Sequence, residues 1–381
     1  MKGNNLTSKS MVGKVLRVSL YVALLAGLLS GCAAENKCSY NWETPIFFPP
    51  APDEPHIQYL TGINSSEDIG TIKKQSSFSL FMSGSEAPEV IKRIGKSYGI
   101  VARNGKLYIA EGMNGRVDII DVEKGTFEQP AGLSIPKGML KYPVNLTLDD
   151  EGYLYVADTA RKEIVVYDPN GNYSRAIPEL WDKRSKVVDV KVFKGNLLAL
   201  DLGAGRLRVL DRKTGEQISE MGYIEKPDQS LRLPSNMVMN DKGEIFISNI
   251  GNNRVMKYDF DGNFLGAFGG GGDTVGSFVK PKGIALGPEG FIYVVDGGTN
   301  VVQVFDDKFR PLTYFGWPGL PYGSLNGPAG IAITTDHIDY FKKYAAPGFN
   351  IDYLVLVVSQ FGQEYCIPRI SVYGIGGMAK K

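Results

Sequence analysis

The sequence predicts an all-β protein, a six-bladed β-propeller whose ring is closed by a strand from its N-terminal side. Three observations predict it. A glycine, then an acidic or amide residue six positions on, then an aspartate ten further on, recur as Gly105, Glu111, Asp121; Gly152, Asp158, Asp168; Gly195, Asp201, Asp211; Gly243, Asn249, Asp259; and Gly290, Asp296, Asp306. The middle positions are spaced by 47, 43, 48 and 47 residues, and a degenerate sixth copy at Gln360 follows 64 residues on, with Gly374 near its last position. Each unit also reads as four short apolar runs separated by turns, and a period of roughly 40–50 residues with several strands per unit marks a propeller.

The first element is a leader. Lys2, Lys9, Lys14 and Arg17 precede the apolar run Val18–Leu29, which is too short for a comfortable membrane span. It ends in Leu29-Ser30-Gly31-Cys32, which resembles the bacterial lipobox. The resemblance implies cleavage before Cys32 and lipidation of its thiol, with residues 1–31 as the signal peptide. Ala33 rather than aspartate follows, which implies the outer rather than the inner membrane. Cleavage leaves 38 basic against 41 acidic residues, a net charge of −3, so no electrostatic footprint for nucleic acid is expected. The lipid is then the only expected membrane anchor.

Residues 32–55 contain the run Phe47-Phe48-Pro49-Pro50-Ala51-Pro52. Proline at this density favours a stiff, extended chain, so the segment reads as a tether. Trp42, Ile46, Phe47 and Phe48 equally allow it to lie along the propeller flank.

The propeller is expected over residues 56–378. Within a unit the first strand, such as 145–149 or 283–286, leads through Glu151-Gly152 or Glu289-Gly290 to a second, 153–157 or 291–295. Glycine suits these turns because hairpins demand positive φ. A third strand (164–167, 301–305), an Asp-led turn and an outer strand such as 264–268 complete the blade. Inner strands are covered on both faces by neighbouring blades, so only the outermost should be weakly apolar.

The stretch PKGIALGPEGFIYVVD from Pro281 to Asp296, with Asn252-Asn253-Arg254-Val255 and Tyr258-Asp259, resembles the NHL repeat. The likeness runs over roughly residues 97–374. It keeps the arginine before the third strand at Arg116, Arg206 and Arg254 but has Glu163 and Val301 in two units. The resemblance implies six blades.

Blade six supplies strands at 330–335, 353–358 and 370–373 and then lacks a fourth. The segment His56–Leu60 has no partners upstream. Placing it as the outer strand of blade six leaves no open edge. Cys38 and Cys366 then approach the same blade, and an oxidising periplasm permits a disulfide between them; separate thiols are the alternative.

Catalytic groups are scarce. His56 and His337 are the only histidines, so a zinc site of several histidines cannot be built. No CxxCH, Walker loop or Gly-x-Ser-x-Gly motif occurs, and Gly269–Gly272 reads as a connector. The recurring carboxylates read as turn and strand-end hydrogen-bonding groups.

Where the inner strands begin, the six equivalent positions are Gly99, Asn145, Asp189, Asn236, Gly283 and Gly330. Asn145, Asp189 and Asn236 would face the channel mouth. Their oxygens suit a hard cation such as Ca²⁺, and similar rings hold the metal in lactonase propellers; local backbone bonding is the alternative. The connectors carry Trp181, Phe278, Phe315, Trp317 and Tyr322, either a partner surface or caps on the blade cores. An insertion at 336–350 reads as a short helix capped by Asp336, with Ile338, Phe341 and Ala345 on one side, plugging the far end of the channel or docking a partner.

The resulting expectation is a protein-binding or scaffolding module of the envelope. Similar lipoproteins accompany multihaem cytochromes of metal-reducing bacteria, which implies an accessory role in extracellular electron transfer. The alternatives are a Ca²⁺-dependent lactonase-like hydrolase and a sensor of small ligands or sugars in the channel, with no other cofactor expected.

Overall fold

The computed structural model describes residues 44–70, 90–178, 183–223, 226–319, 322–362 and 367–379. The chain divides into Met1–Asn41 and Trp42–Lys381; the second unit is the propeller.

Glycine-led hairpins and apolar runs yield six antiparallel sheets. Blade one comprises Ser97–Arg103, Lys106–Glu111, Arg116–Asp121 and Thr126–Glu128. Blade two comprises Pro143–Leu148, Leu154–Asp158, Glu163–Tyr167 and Tyr173–Pro178. Blade three follows with Val187–Phe193, Asn196–Asp201, Arg206–Asp211 and Gln217–Met221. Blade four has Pro234–Met239, Ile245–Asn249, Arg254–Tyr258 and Phe264–Gly269. Blade five has Pro281–Leu286, Ile292–Asp296, Val301–Phe305 and Pro311–Phe315. Each inner strand contacts the next around a closed ring.

Blade six is built from both ends of the chain. Pro328–Thr334, Phe349–Ser359 and Ile370–Met378 are followed outward by Ile57–Ile63, which pairs Ile57 with Ile375 and Ile63 with Ile370. The expected closure is therefore present. Leu60 and Ile63 sit in a core shared with Ile100, Leu107, Leu354 and Val372, so the closing strand also seals blade six against blade one.

Of the two readings open for residues 32–55, the described part follows the propeller flank: it contributes a fifth strand, Ile46–Phe48, paired to the closing strand with Phe48 opposite Ile57. Phe48 is fully buried against Trp317 and Phe315, and burial of one such ring is worth roughly 1.5–3 kcal/mol, enough to hold the segment down. The blade-six insertion does not plug the channel. Its helix, Ile338–Phe341, drives Phe341 into the core between blades six and one, with Ile338 and Ala345 packed alongside. His337, at φ 66°, is the residue before the helix, and Asp336 caps no helix: its Oδ2 accepts the Gly105 N–H of blade one at 2.9 Å.

Outer strands are the exposed ones, as Gln217–Met221 and Pro311–Phe315 illustrate. No helix among the described residues is long and apolar enough to cross a membrane.

Candidate functional site

The recurring acids fasten the connectors. Asp158 accepts backbone N–H groups from Lys141 and Tyr142, on the connector entering its blade, and from Ala160 and Arg161 in its own turn. Asp296 does the same with Val279, Lys280 and Gly298, and Asp201 with Lys186 and Ala204. In blade four, Asn249 Oδ1 accepts the Arg232 N–H at 2.7 Å. A carboxylate is needed where several N–H groups converge, and an amide suffices for one. Blade six departs from the expected register. Ser359, opposite Pro328, takes the place assigned to Gln360, and its Oγ accepts the Asn326 N–H at 3.3 Å. The aspartates after the third strands close turns: Asp168 accepts from Asn170 and Asn172, and Asp306 from Lys308 and Arg310.

This fastening sets the inner strands around a central cavity of about 210 Å³ lined by Asn145, Asp189, Lys191, Asn236, Gly283 and Gly330 among others. A Cβ on Gly283 would lie 2.5 Å from the Ala329 carbonyl oxygen, and one on Gly330 2.5 Å from that of Tyr98, so only glycine lets these strands approach so closely. The predicted triad does converge on this cavity, where the oxygens of Asp189 and Asn145 accept hydrogen bonds from the protein. Asp189 Oδ2 accepts the Met237 N–H of the next blade at 2.8 Å, and Oδ1 accepts the Val190 N–H at 2.8 Å and the Lys191 ammonium at 2.9 Å. Burial pushes the Asp189 carboxyl up, against the pull of Lys191 and the two amides. Asn145 Oδ1 accepts the Leu146 N–H at 3.0 Å.

Such a donor set does not fit Ca²⁺, which takes six to eight oxygens and favours several carboxylates. The single carboxylate is already paired, and the Lys191 ammonium would repel a divalent ion. No cluster of three or more His, Cys, Asp or Glu side chains able to hold a metal occurs among the described residues. Neither histidine lines the cavity. His56 is exposed beside the closing strand, and His337 Nδ1 lies 3.0 Å from Glu123 Oε1 in the blade-six insertion.

Around the opening above this ring lie residues that the sequence reading passed over. Lys96, Lys186 and Lys280 each immediately precede the first residue of an inner strand, and Lys282 follows one residue into the strand of blade five. Recurrence of lysine at one register position was the signal available. Lys96 Nζ lies 4.7 Å from the Phe361 ring centroid and 5.9 Å from that of Tyr98. The Tyr98 and Tyr142 hydroxyls share a 2.5 Å hydrogen bond. The stem of Lys282 fills the space a side chain at Gly297 would need, its Cε 2.9 Å from the position of such a Cβ. Burial, and then the charges of Lys280 and Lys96, lower the Lys282 ammonium to about 8. Burial and the bond to Tyr98 raise Tyr142, while Lys96 and Lys186 pull it down.

Of the two readings open for the connector aromatics, Phe278 and Phe315 follow the capping one. Phe278 is fully buried between Phe268 and Phe305, and Phe315 is fully buried on Tyr373, because the connectors tuck these rings into the gaps between sheets. Trp317 is half-buried, edge-on to Phe48 at 4.8 Å, and Tyr322 is half-buried. Trp181, Cys32, Cys38 and Cys366 lie outside the described residues. Among the described residues, large apolar side chains exposed in the turns and connectors include Val90, Met113, Met139, Tyr223, Leu233, Val275 and Phe361.

Fold and site together define a six-bladed β-propeller with a central cavity lined by its inner strands. No protein-family model and no curated protein matches the sequence. Solved structures do. A Bacteroides thetaiotaomicron protein of unknown function aligns with a TM-score of 0.55 at 14% identity, over 84% of this chain and 76% of its own. A Xanthomonas campestris gluconolactonase aligns at 0.52 and 14% identity, over 74% and 86%. A streptogramin B lyase aligns at 0.51 and 12% identity, over 74% and 94%. At such identities the likeness is one of fold.

Proposed function

We propose that this chain is a lipid-anchored, NHL-type propeller of the bacterial envelope that binds a partner protein through its connector end, with a multihaem cytochrome as the candidate partner. The observation that carries this reading is a set of apolar side chains exposed in the turns and connectors: Met113, Tyr223, Leu233 and Phe361 are each more than half exposed, and Lys96 Nζ lies 4.7 Å from the Phe361 ring centroid. Apolar side chains beside positive charge are a common composition for a docking surface. Leu233 is in addition held at φ 51°, a costly conformation for a leucine, next to the opening.

Lactone hydrolysis is the weaker reading. It would need a metal or a free acid at the mouth, and Asp189 is committed to Met237, Val190 and Lys191. The test is recovery of the tagged protein from its native envelope beside Leu233→Asp/Phe361→Asp and Cys32→Ser variants. The reading expects a stoichiometric partner lost in the double variant, and palmitate labelling and envelope retention lost in Cys32→Ser. Equal recovery of the same partner by wild type and double variant would place binding elsewhere.

A further inference from the structure

We infer that the connector side of blade four carries a binding site for an oxyanion, a carboxylate or phosphate group, held by the guanidinium groups of Arg232 and Arg254. The inference stands on one pocket and does not depend on the protein-binding reading. That pocket, of about 310 Å³, is lined by Arg232, Arg254, Asp228, Asn252, Gly270 and Gly271 among others. The backbone brings both arginines to it. The Arg232 N–H donates to Asn249 Oδ1 at 2.7 Å and the Arg232 carbonyl accepts the Gly251 N–H at 2.8 Å, so the residue is held on both sides. A Cβ on Gly251 would lie 2.6 Å from the Arg232 Cβ, so glycine is what lets Arg232 sit over this turn. Arg254 opens the strand that follows the turn, opposite Gly269, where the Gly270-Gly271 connector begins.

Arginine starts the third strand in blades one, three and four, and of these only blade four lacks an acid for it. In blade one, Arg116 pairs with Glu111 at 2.9 Å and with Asp118 at 3.1 Å. In blade three, Arg206 lies 3.5 Å from Glu220, and Asp201 is taken by Arg208. The positions of these acids in the strand register correspond in blade four to Asn249, Met256 and Ala267, all neutral. Neither guanidinium has an ion-pair or hydrogen-bond partner among the described residues. Asp228 is the single carboxylate in the pocket wall, which leaves two guanidiniums against one acid, and it offers an acceptor to a hydroxyl of the same ligand. A concave site of positive excess concentrates anions, and planar guanidinium forks match the paired oxygens of carboxylate and phosphate. The Gly270 and Gly271 N–H groups donate to no backbone acceptor among the described residues, and a Cβ on either would meet nothing within 4 Å, so a ligand can approach this backbone closely.

The test uses the full chain in detergent at low ionic strength, titrated calorimetrically with inorganic phosphate, glucuronate and a short oligoglutamate peptide. The expected result is saturable binding of at least one probe with a Kd of about 1 mM or tighter, weakened about tenfold or more in Arg232→Gln/Arg254→Gln. Lys308→Gln, which removes an exposed charge from the turn between the last two strands of blade five, should bind as wild type does. Binding of phosphate or glucuronate identifies a free small anion as a sufficient ligand; binding of the peptide alone means that a protein presents the carboxylates. Should the double variant misfold, phenylglyoxal modification of the wild-type chain read by mass spectrometry decides the question. The bound probe must then protect Arg232 and Arg254 and leave Arg310, whose side chain is 70% exposed, unprotected. Absence of binding by every probe, wild-type affinity in the double variant, or equal loss in Lys308→Gln overturns the inference, whether or not a partner protein is found.

Discussion

Replacing Asp118 with asparagine should stabilise the protein at neutral and alkaline pH. Glu111 and Asp118 are both fully buried in blade one, with a single guanidinium between them. Arg116 Nε lies 2.9 Å from Glu111 Oε2 and 3.1 Å from Asp118 Oδ1. Glu111 also accepts the Gly95 N–H and the Asn114 amide, while Asp118 accepts the Gln129 amide at 3.0 Å. Arg369 adds positive charge on the Glu111 side. Only Arg116 is in ion-pair contact with the two carboxylates among the described residues, and one such contact does not compensate two buried acids, so one of them keeps its proton. Burial, followed by the bond and the charge of Glu111, pushes Asp118 up to about 8, against Arg116 and Gln129. Because this pKa is raised on folding, the folded state holds a proton that the unfolded chain releases near pH 4. The contribution to stability is full below that pH and is lost progressively as pH climbs towards 8. The slope is at most about 1.4 kcal/mol per pH unit inside the window. Asparagine is neutral throughout and keeps the Gln129 acceptor. Allowing for relaxation, the variant should gain about 1–3 kcal/mol at pH 8 and nearly nothing at pH 4. Urea denaturation followed by circular dichroism between pH 4 and pH 8 measures this. A variant less stable than wild type at pH 8, with an unchanged pH slope, would refute the shared-proton account.

Three other outcomes are expected. Leu60→Ala, in the closing strand and fully buried, should cost about 2–5 kcal/mol in chemical denaturation, whereas a loss below about 1 kcal/mol would mean the strand does not seal the ring. Chelation with EDTA should leave the thermal midpoint where it was and added Ca²⁺ should not raise it, since Lys191 already neutralises Asp189; a clear Ca²⁺-dependent rise would restore the lactonase reading. Non-reducing peptide mapping of the envelope-derived protein should yield a Cys38–Cys366 linked peptide, and reduction should lower the midpoint; two free thiols would disprove the bond.

The blades, their order and the closing strand were legible in the sequence because each is a local or periodic property. A glycine-led hairpin, an apolar run and an Asp-led turn recur at nearly constant spacing, and a strand without a partner at one end matches a blade lacking one at the other. The convergence of Asn145, Asp189 and Asn236 was legible for the same reason, as an equivalent register position in each blade. What those side chains do there was not. Asp189 is spent on the Met237 amide of the next blade and on Lys191, which depends on the approach of two strands 48 residues apart. Likewise, the sequence left Phe278 and Phe315 open between a partner surface and caps on the blade cores, and only packing shows them filling the gaps between sheets. Sequence alone determined the repeating backbone, since hydrophobic period and turn chemistry act over a few residues. Only the tertiary structure decided which charges are paired and which face the opening, because electrostatic neutralisation depends on distances between blades that closure of the ring sets.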